Sequence, residues 1–342
     1  MRISFRNCLL VSITFLLLWG CGPNTVKTVF YQWESQPDWN SSTQAYLDTL
    51  ATEQLFLRFF DIEWDDSRKR IVPIGSLRAN LSDWEGKEVV PVIYLSENVL
   101  PHLDESQIAD LAELTIDRVR RIAEPLEQIN EIQIDSNWDQ ENKENYFAFL
   151  RQMQTLLGEK GPRLSVCVYP QHVLQRDSMG VPPVERARFM LMEIVDPVAV
   201  EQNASLFGAT IREAASEADD YGIPLDVGLP IGSWGVVLRN EKAISILRHL
   251  PLNLLEDRDR FEVVNAYFYR VLADTYLDGT FLYENDMIRL EALSPDQLRE
   301  SIKPLAPYLS HDSISVGFFH LEVNTSAEYP PKEIRKLVDL FR

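Results

Sequence analysis

Short runs of β-branched and aromatic residues alternate along the chain with amphipathic stretches of helical period. The runs predict strands over 28–33, 55–60, 89–95, 131–137, 163–169, 189–194, 225–230 and 313–319. Helices are expected between them. Asp104-Glu105-Ser106-Gln107 reads as a capping box, followed by Ile108, Leu111, Ala112, Thr115, Val119 and Ile122 on one stripe. Tyr146, Phe149, Leu150, Met153, Leu156 and Leu157 form a second stripe. Ser294-Pro295-Asp296-Gln297 is another start signal, and Gly222 closes a helix beginning near Asn203. Eight strands separated by helices predict a (β/α)8 TIM-type barrel, because each parallel crossover needs a connecting helix. A doubly wound open sheet is the alternative. One interval is too long for a single helix. Within it, 268–275 and 280–289 flank Leu277-Asp278-Gly279, so a β-hairpin insertion over 251–293 is expected between strands seven and eight, within a single domain spanning 28–342.

Period-two alternation says which side chains look inward. In strand four, Ile132 and Ile134 share one face, while Glu131, Gln133, Asp135 and Asn137 share the other. The outer face of a barrel strand packs against apolar helix stripes, so the isoleucines belong outside and the polar set inside. Strand five agrees, with Leu164, Val166 and Val168 outward and Ser165, Cys167 and Tyr169 inward. In strand seven Asp226 opposes Leu225, Val227 and Leu229, and in strand one Gln32 and Glu34 oppose Val29, Tyr31 and Trp33. Arg58 facing the helices would strand a charge in an apolar layer at a cost of several kcal/mol. It is therefore expected inside the barrel, in a buried structural cluster with Asp135 or Asp226.

The N-terminus adds an address. Arg2 and Arg6 precede the uncharged apolar stretch 9–19, too short to span a bilayer comfortably, which needs roughly 20 apolar residues. Leu18-Trp19-Gly20-Cys21 resembles the lipobox of bacterial lipoproteins. The resemblance implies a signal peptide over 1–20, lipidation of Cys21, a tether over 21–27 and an extracytoplasmic, membrane-anchored protein of the cell envelope. With the signal removed, Cys167 is the one other cysteine, which excludes an intramolecular disulfide. The net charge of -19 argues against nucleic acid, whose phosphates demand basic patches.

Barrel active sites sit at the C-terminal strand ends. Those ends carry Asp61, Glu63 and Trp64 after strand two, Tyr94 with Ser96 after strand three, and Asp135, Asn137, Trp138 and Asp139 after strand four. Tyr169, His172, Glu193, Trp234, and His320 with Glu322 complete the set. Acids interleaved with aromatics suit a sugar, whose apolar ring face stacks on aromatic planes while carboxylates bind hydroxyls or move protons. The plainer reading is loop-edge polar residues and core aromatics.

Ile134-Asp135-Ser136-Asn137-Trp138-Asp139 resembles the Asp-x-Asp-x-Glu strand of chitinase-like family 18 glycoside hydrolases. That resemblance implies Asp139 as general acid, Asn137 as the residue orienting the substrate's acetamido group, and Asp135 as supporting acid. Both key positions depart from the pattern, since Asp139 is shorter than Glu and Asn137 carries no charge. A wider resemblance, to bacterial lipoproteins with a predicted TIM barrel and no known reaction, rests on segments such as Leu57-Arg58-Phe59-Phe60-Asp61, Pro224-Leu225-Asp226-Val227-Gly228-Leu229-Pro230 and Phe318-Phe319-His320-Leu321.

The five histidines form no pair with metal-ligand spacing, and no cofactor motif occurs. Three functions fit. One is a glycoside hydrolase with catalytic carboxylates drawn from Asp61, Glu63, Asp135, Asp139 and Glu193, and Glu63, Trp64, Tyr94, Asn137, Trp138, Tyr169, Trp234 and His320 binding substrate. Another is a non-catalytic glycan- or envelope-binding protein. The third is an envelope assembly component that uses the hairpin as its contact surface.

Overall fold

The computed structural model describes residues 25–342 except 38, 85, 193–207, 248–249, 251, 266, 278–279, 310–312 and 323–324. The signal segment, Cys21, Asn203, Glu193 and the Asp278-Gly279 turn lie outside the described residues.

Eight parallel strands close into a ring. They are β1 (Thr25–Gln32), β2 (Gln54–Asp65), β3 (Glu88–Leu95), β4 (Glu131–Asp135), β5 (Arg163–Val168), β6 (Ala187–Met190), β7 (Leu225–Pro230) and β8 (Ser313–Phe319). Each pairs with its sequence neighbour, and β1 pairs with both β8 and β2, which seals the barrel. This is the TIM-type (β/α)8 architecture that the alternation predicts. β1 starts at Thr25, so positions 25–27 belong to the strand and not to a tether. The helix Glu105–Ile122 begins at the expected capping box: the Asp104 carboxylate accepts from Gln107 N, and Gln107 Oε1 accepts from Asp104 N. Pro295–Ile302 starts the same way on Ser294.

The two faces of the strands segregate as the parity argument requires. Ile132, Ile134, Leu164, Val166, Leu225, Val227 and Leu229 join the helices in one large outer core. Inside, Val29, Tyr31, Phe56, Val90 and Val92 pack together, beside Cys167, Tyr169 and Met190. In β1 it is thus the aromatic face that turns inward.

Two elements lie outside the ring. Arg70–Ile74 pairs antiparallel with the far end of β2, forming an extra strand that the sequence pattern does not announce. Between β7 and β8 the chain builds more than one hairpin: Lys242–Leu247, Ser233–Arg239, Met287–Ala292, Phe268–Val271 and Phe261–Val263 lie side by side, in that order, as an antiparallel sheet. The expected long hairpin exists in interrupted form, with Phe268 opposite Arg289, and a separate short hairpin joins Thr275–Leu277 to Thr280–Leu282. This sheet has its own core of Val237, Leu247, Phe261, Val271, Leu282 and Ile288. Its first strand follows β7 almost at once, through Gly232, whose φ of 100° is the region where glycine avoids strain. Among the described residues no helix is long and apolar enough to cross a membrane.

Candidate functional site

The barrel interior is a column of polar side chains, best followed from its N-terminal end upward. At the bottom Asp226 accepts from Arg186 Nη1 at 2.8 Å and from Ser315 N at 2.8 Å. Glu131 binds Arg163 and accepts from Ser165 Oγ at 2.5 Å. Above them lies Arg188, 2% exposed, whose guanidinium donates to Val227 O, Ser315 O and Ser315 Oγ and stacks 4.7 Å over Phe56. Its neighbour on β8 is Gly317, where a Cβ would lie 2.8 Å from Arg188 Nη1. Next come Tyr31, donating to Gln133 Oε1 at 2.5 Å, and then Asp135, which accepts from Tyr169 Oη at 2.9 Å.

The arginine that the barrel buries is therefore Arg188, not Arg58. Arg58 meets neither Asp135 nor Asp226. It pairs with Asp61 (Nε to Oδ1 2.6 Å) and donates to Trp33 O at the upper rim, remaining half-buried. A β-bulge explains the geometry: the β2–β3 register shifts between Arg58 and Phe60. Phe59 and Phe60 both enter the outer core, so Arg58 and Asp61 come to share the inner face. Asp226 belongs to the barrel floor with Arg186. Arg188 was legible in principle, because it alternates with the outward Ala187, Phe189 and Leu191.

At the C-terminal mouth β4 ends at Asp135, and Asn137 is the last residue to continue its inner face. Asn137 Nδ2 donates to Glu97 Oε2 at 2.9 Å and its Oδ1 accepts from Gln171 Nε2 at 2.7 Å, so it is clamped between the loop after β3 and the short helix Pro170–Leu174 after β5. Beyond it the chain turns outward. Asp139 is exposed, and its Oδ1 accepts from the backbone N–H groups of Glu141 and Asn142, which closes the turn into the helix Lys143–Leu157. Asp139 therefore serves the turn and does not line the mouth cleft, and the last inner-face position of β4 is held by an amide. Trp138 is likewise not a sugar platform. It is 1% exposed, stacks on His172 at 3.6 Å and on Tyr146, and donates Nε1 to Met179 O. His172 Nδ1 accepts from Tyr169 N, which leaves Nε2 to donate to Trp138 O; burial pushes its pKa down to about 3, so it stays neutral.

Burial pushes the Asp135 carboxyl up to about 6; the Tyr169 hydrogen bond opposes the shift, and the negative Asp61 adds to it. Tyr94 is half-buried and pushed up to about 12, first by burial and then by Asp135 and Glu63. Trp64, on the outer part of β2, stacks 3.8 Å from His102 and donates to Asp66, while Glu63 faces Val72 of the extra strand. Of the expected site residues, Glu63, Trp64, Tyr94, Asp135, Asn137 and Tyr169 do not line the mouth cleft.

That cleft, of about 660 Å³, runs from β1 to the insertion. Trp33, Met192, Ile231, Trp234 and Phe319 give it an apolar wall, and Glu34, Arg58, His320 and Glu322 supply polar groups. Trp33 and Phe319 pack at 5.0 Å, Arg58 lies 5.5 Å over Trp33, and His320 Nε2 is 3.3 Å from Glu322 Oε1. Trp234 and His320 line this cleft, and so do Trp33, Phe319 and Met192, which the sequence reading did not single out. Among the described residues no group of three or more His, Cys, Asp or Glu is placed to hold a metal ion.

No protein-family profile matches the chain, and no curated protein matches it. Solved structures do. The spore cortex-lytic enzyme SleL of Bacillus megaterium superposes with a TM-score of 0.57 at 14% identity, over 94% of this chain and 76% of that one. SleL of Bacillus cereus gives 0.54 at 13% over the same shares. A chitinase from Bacteroides thetaiotaomicron gives 0.50 at 12% over 93% and 97%. The chain is built on the same closed barrel as these proteins.

Proposed function

We propose that this protein binds a glycan in its mouth cleft and does not cleave it. The observation that carries the reading is Asn137. It stands where the inner face of β4 ends, both of its polar groups are engaged, and an amide has no proton to give a leaving glycosidic oxygen. Asp139 is turned away and Asp61 is held by Arg58, so the carboxylates do not assemble as a free pair. The apolar wall with Trp33 and Trp234, bordered by Glu34, Arg58 and His320, suits a sugar's two-sided chemistry. The barrel shared with SleL enzymes and a chitinase supports a glycan as the ligand class. Titration with chitin oligosaccharides and peptidoglycan fragments tests the proposal: saturable binding weakened by Trp234→Ala supports it, and no binding across both glycan classes defeats it.

A hydrolase remains the second reading, favoured by Asp135. A carboxyl pushed up to about 6 at the end of β4, beside the Tyr169 hydroxyl, has the protonation behaviour of a general acid. Release of reducing sugar that peaks between pH 5 and 7 and disappears in Asp135→Asn establishes it.

The lipobox-like Leu18-Trp19-Gly20-Cys21 supports an envelope location, with a lipid on Cys21 as the anchor. Wild type is expected in the membrane fraction and Cys21→Ala in the soluble extracytoplasmic fraction; equal partitioning of the two contradicts it.

A further inference from the structure

A second cleft opens on the barrel's flank, separate from the mouth. The extra strand Arg70–Ile74 leaves the ring with the end of β2 and faces the helix Glu105–Ile122 across a gap of about 390 Å³. Phe60, Ile62, Ile71, Pro73, Leu111 and Leu114 line it. Leu114 is 62% exposed at its rim, an apolar side chain that neither strand nor helix covers.

The polar lining of this cleft is Gln107, Asp110, Thr115, Arg118 and Arg121, two cations against one carboxylate. Arg118 lies 5.1 Å over the Phe60 ring and donates Nη2 to Ser76 Oγ, while its Nε is buried without a hydrogen-bond partner. Among the described residues no carboxylate pairs with it: the nearby helix acid Asp117 is engaged by Arg120. A buried donor on a charged group that has lost water and gained nothing is costly, and an acceptor brought by a ligand removes that cost. The volume falls within the range of small-molecule sites, whose usual composition is an apolar wall with a few placed polar groups.

We propose that this flank cleft binds a small molecule with an apolar body and a single anionic head. The head accepts from Arg118, and the body lies along Phe60, Ile62, Leu111 and Leu114. The mouth, with its aromatics and mixed charges, plays no part.

The probe is decanoate, titrated calorimetrically into the folded protein, with decanol and decylammonium as controls. Wild type binds decanoate saturably, and both controls bind at least about tenfold more weakly. Arg118→Met keeps the apolar stem and removes the charge, and Leu114→Asp alters only an exposed rim position; each lowers decanoate affinity about tenfold or more. Trp234→Ala leaves it unchanged. No saturable uptake of decanoate, equal affinity for decanol, or wild-type affinity in both variants with intact circular dichroism each overturns the proposal.

Discussion

Asp135 is the residue whose environment makes the sharpest statement about pH. Burial pushes its carboxyl up to about 6 in the folded protein, from 3.8 for the free group. The folded state therefore keeps a proton that the unfolded chain has lost between about pH 4 and pH 6, and stability falls as pH rises through that window. Above it the ionised group costs about 3 kcal/mol, at roughly 1.36 kcal/mol per unit. Asp135→Asn preserves an acceptor for Tyr169, so the variant should be more stable than wild type by about 2–3 kcal/mol at pH 8 and should match it near pH 4, as read by urea unfolding at both pH values. The two candidate tryptophans separate equally cleanly. Trp138→Ala empties a filled core site and should cost roughly 3–5 kcal/mol. Trp234→Ala, on the cleft wall, should leave the melting temperature nearly unchanged and weaken glycan binding about tenfold.

At the scale of elements, what the sequence announced was strand identity and parity. Alternating Ile132 and Ile134 against Gln133 and Asp135 can satisfy an apolar helix layer in one register only, so inside and outside were readable. The bulge at Arg58–Phe60 was not, because one extra residue inverts the face without altering the apolar run. The extent of strand four was overread for a related reason. Asp139 is as polar as an inner-face residue, but its carboxylate serves an Asx turn, which local composition does not separate from catalysis. Asp139→Ala should therefore cost about 1 kcal/mol and leave ligand affinity intact; a large loss of affinity would restore the residue to the site. On β8, Gly317→Ala forces a methyl group against Arg188 and Tyr31, and a loss of roughly 1–3 kcal/mol is expected from chemical denaturation.

Across the whole molecule, floor, column and mouth divide the work. The floor pairs Arg186 with Asp226 and Arg163 with Glu131, the column is occupied by Arg188, Tyr31 and Gln133, and the mouth opens above them, with the insertion contributing Trp234 to its wall. An interior filled this way keeps chemistry at the C-terminal face, as the barrel architecture requires. The central claim is that the mouth holds a glycan while Asn137 leaves it uncut. The most direct test incubates wild-type protein with a chitin oligosaccharide at pH 6, follows binding by calorimetry, and weighs the recovered sugar by mass spectrometry. The account predicts saturable binding and oligosaccharide of unchanged mass; shorter oligosaccharides that accumulate with time and vanish in Asp135→Asn would contradict it.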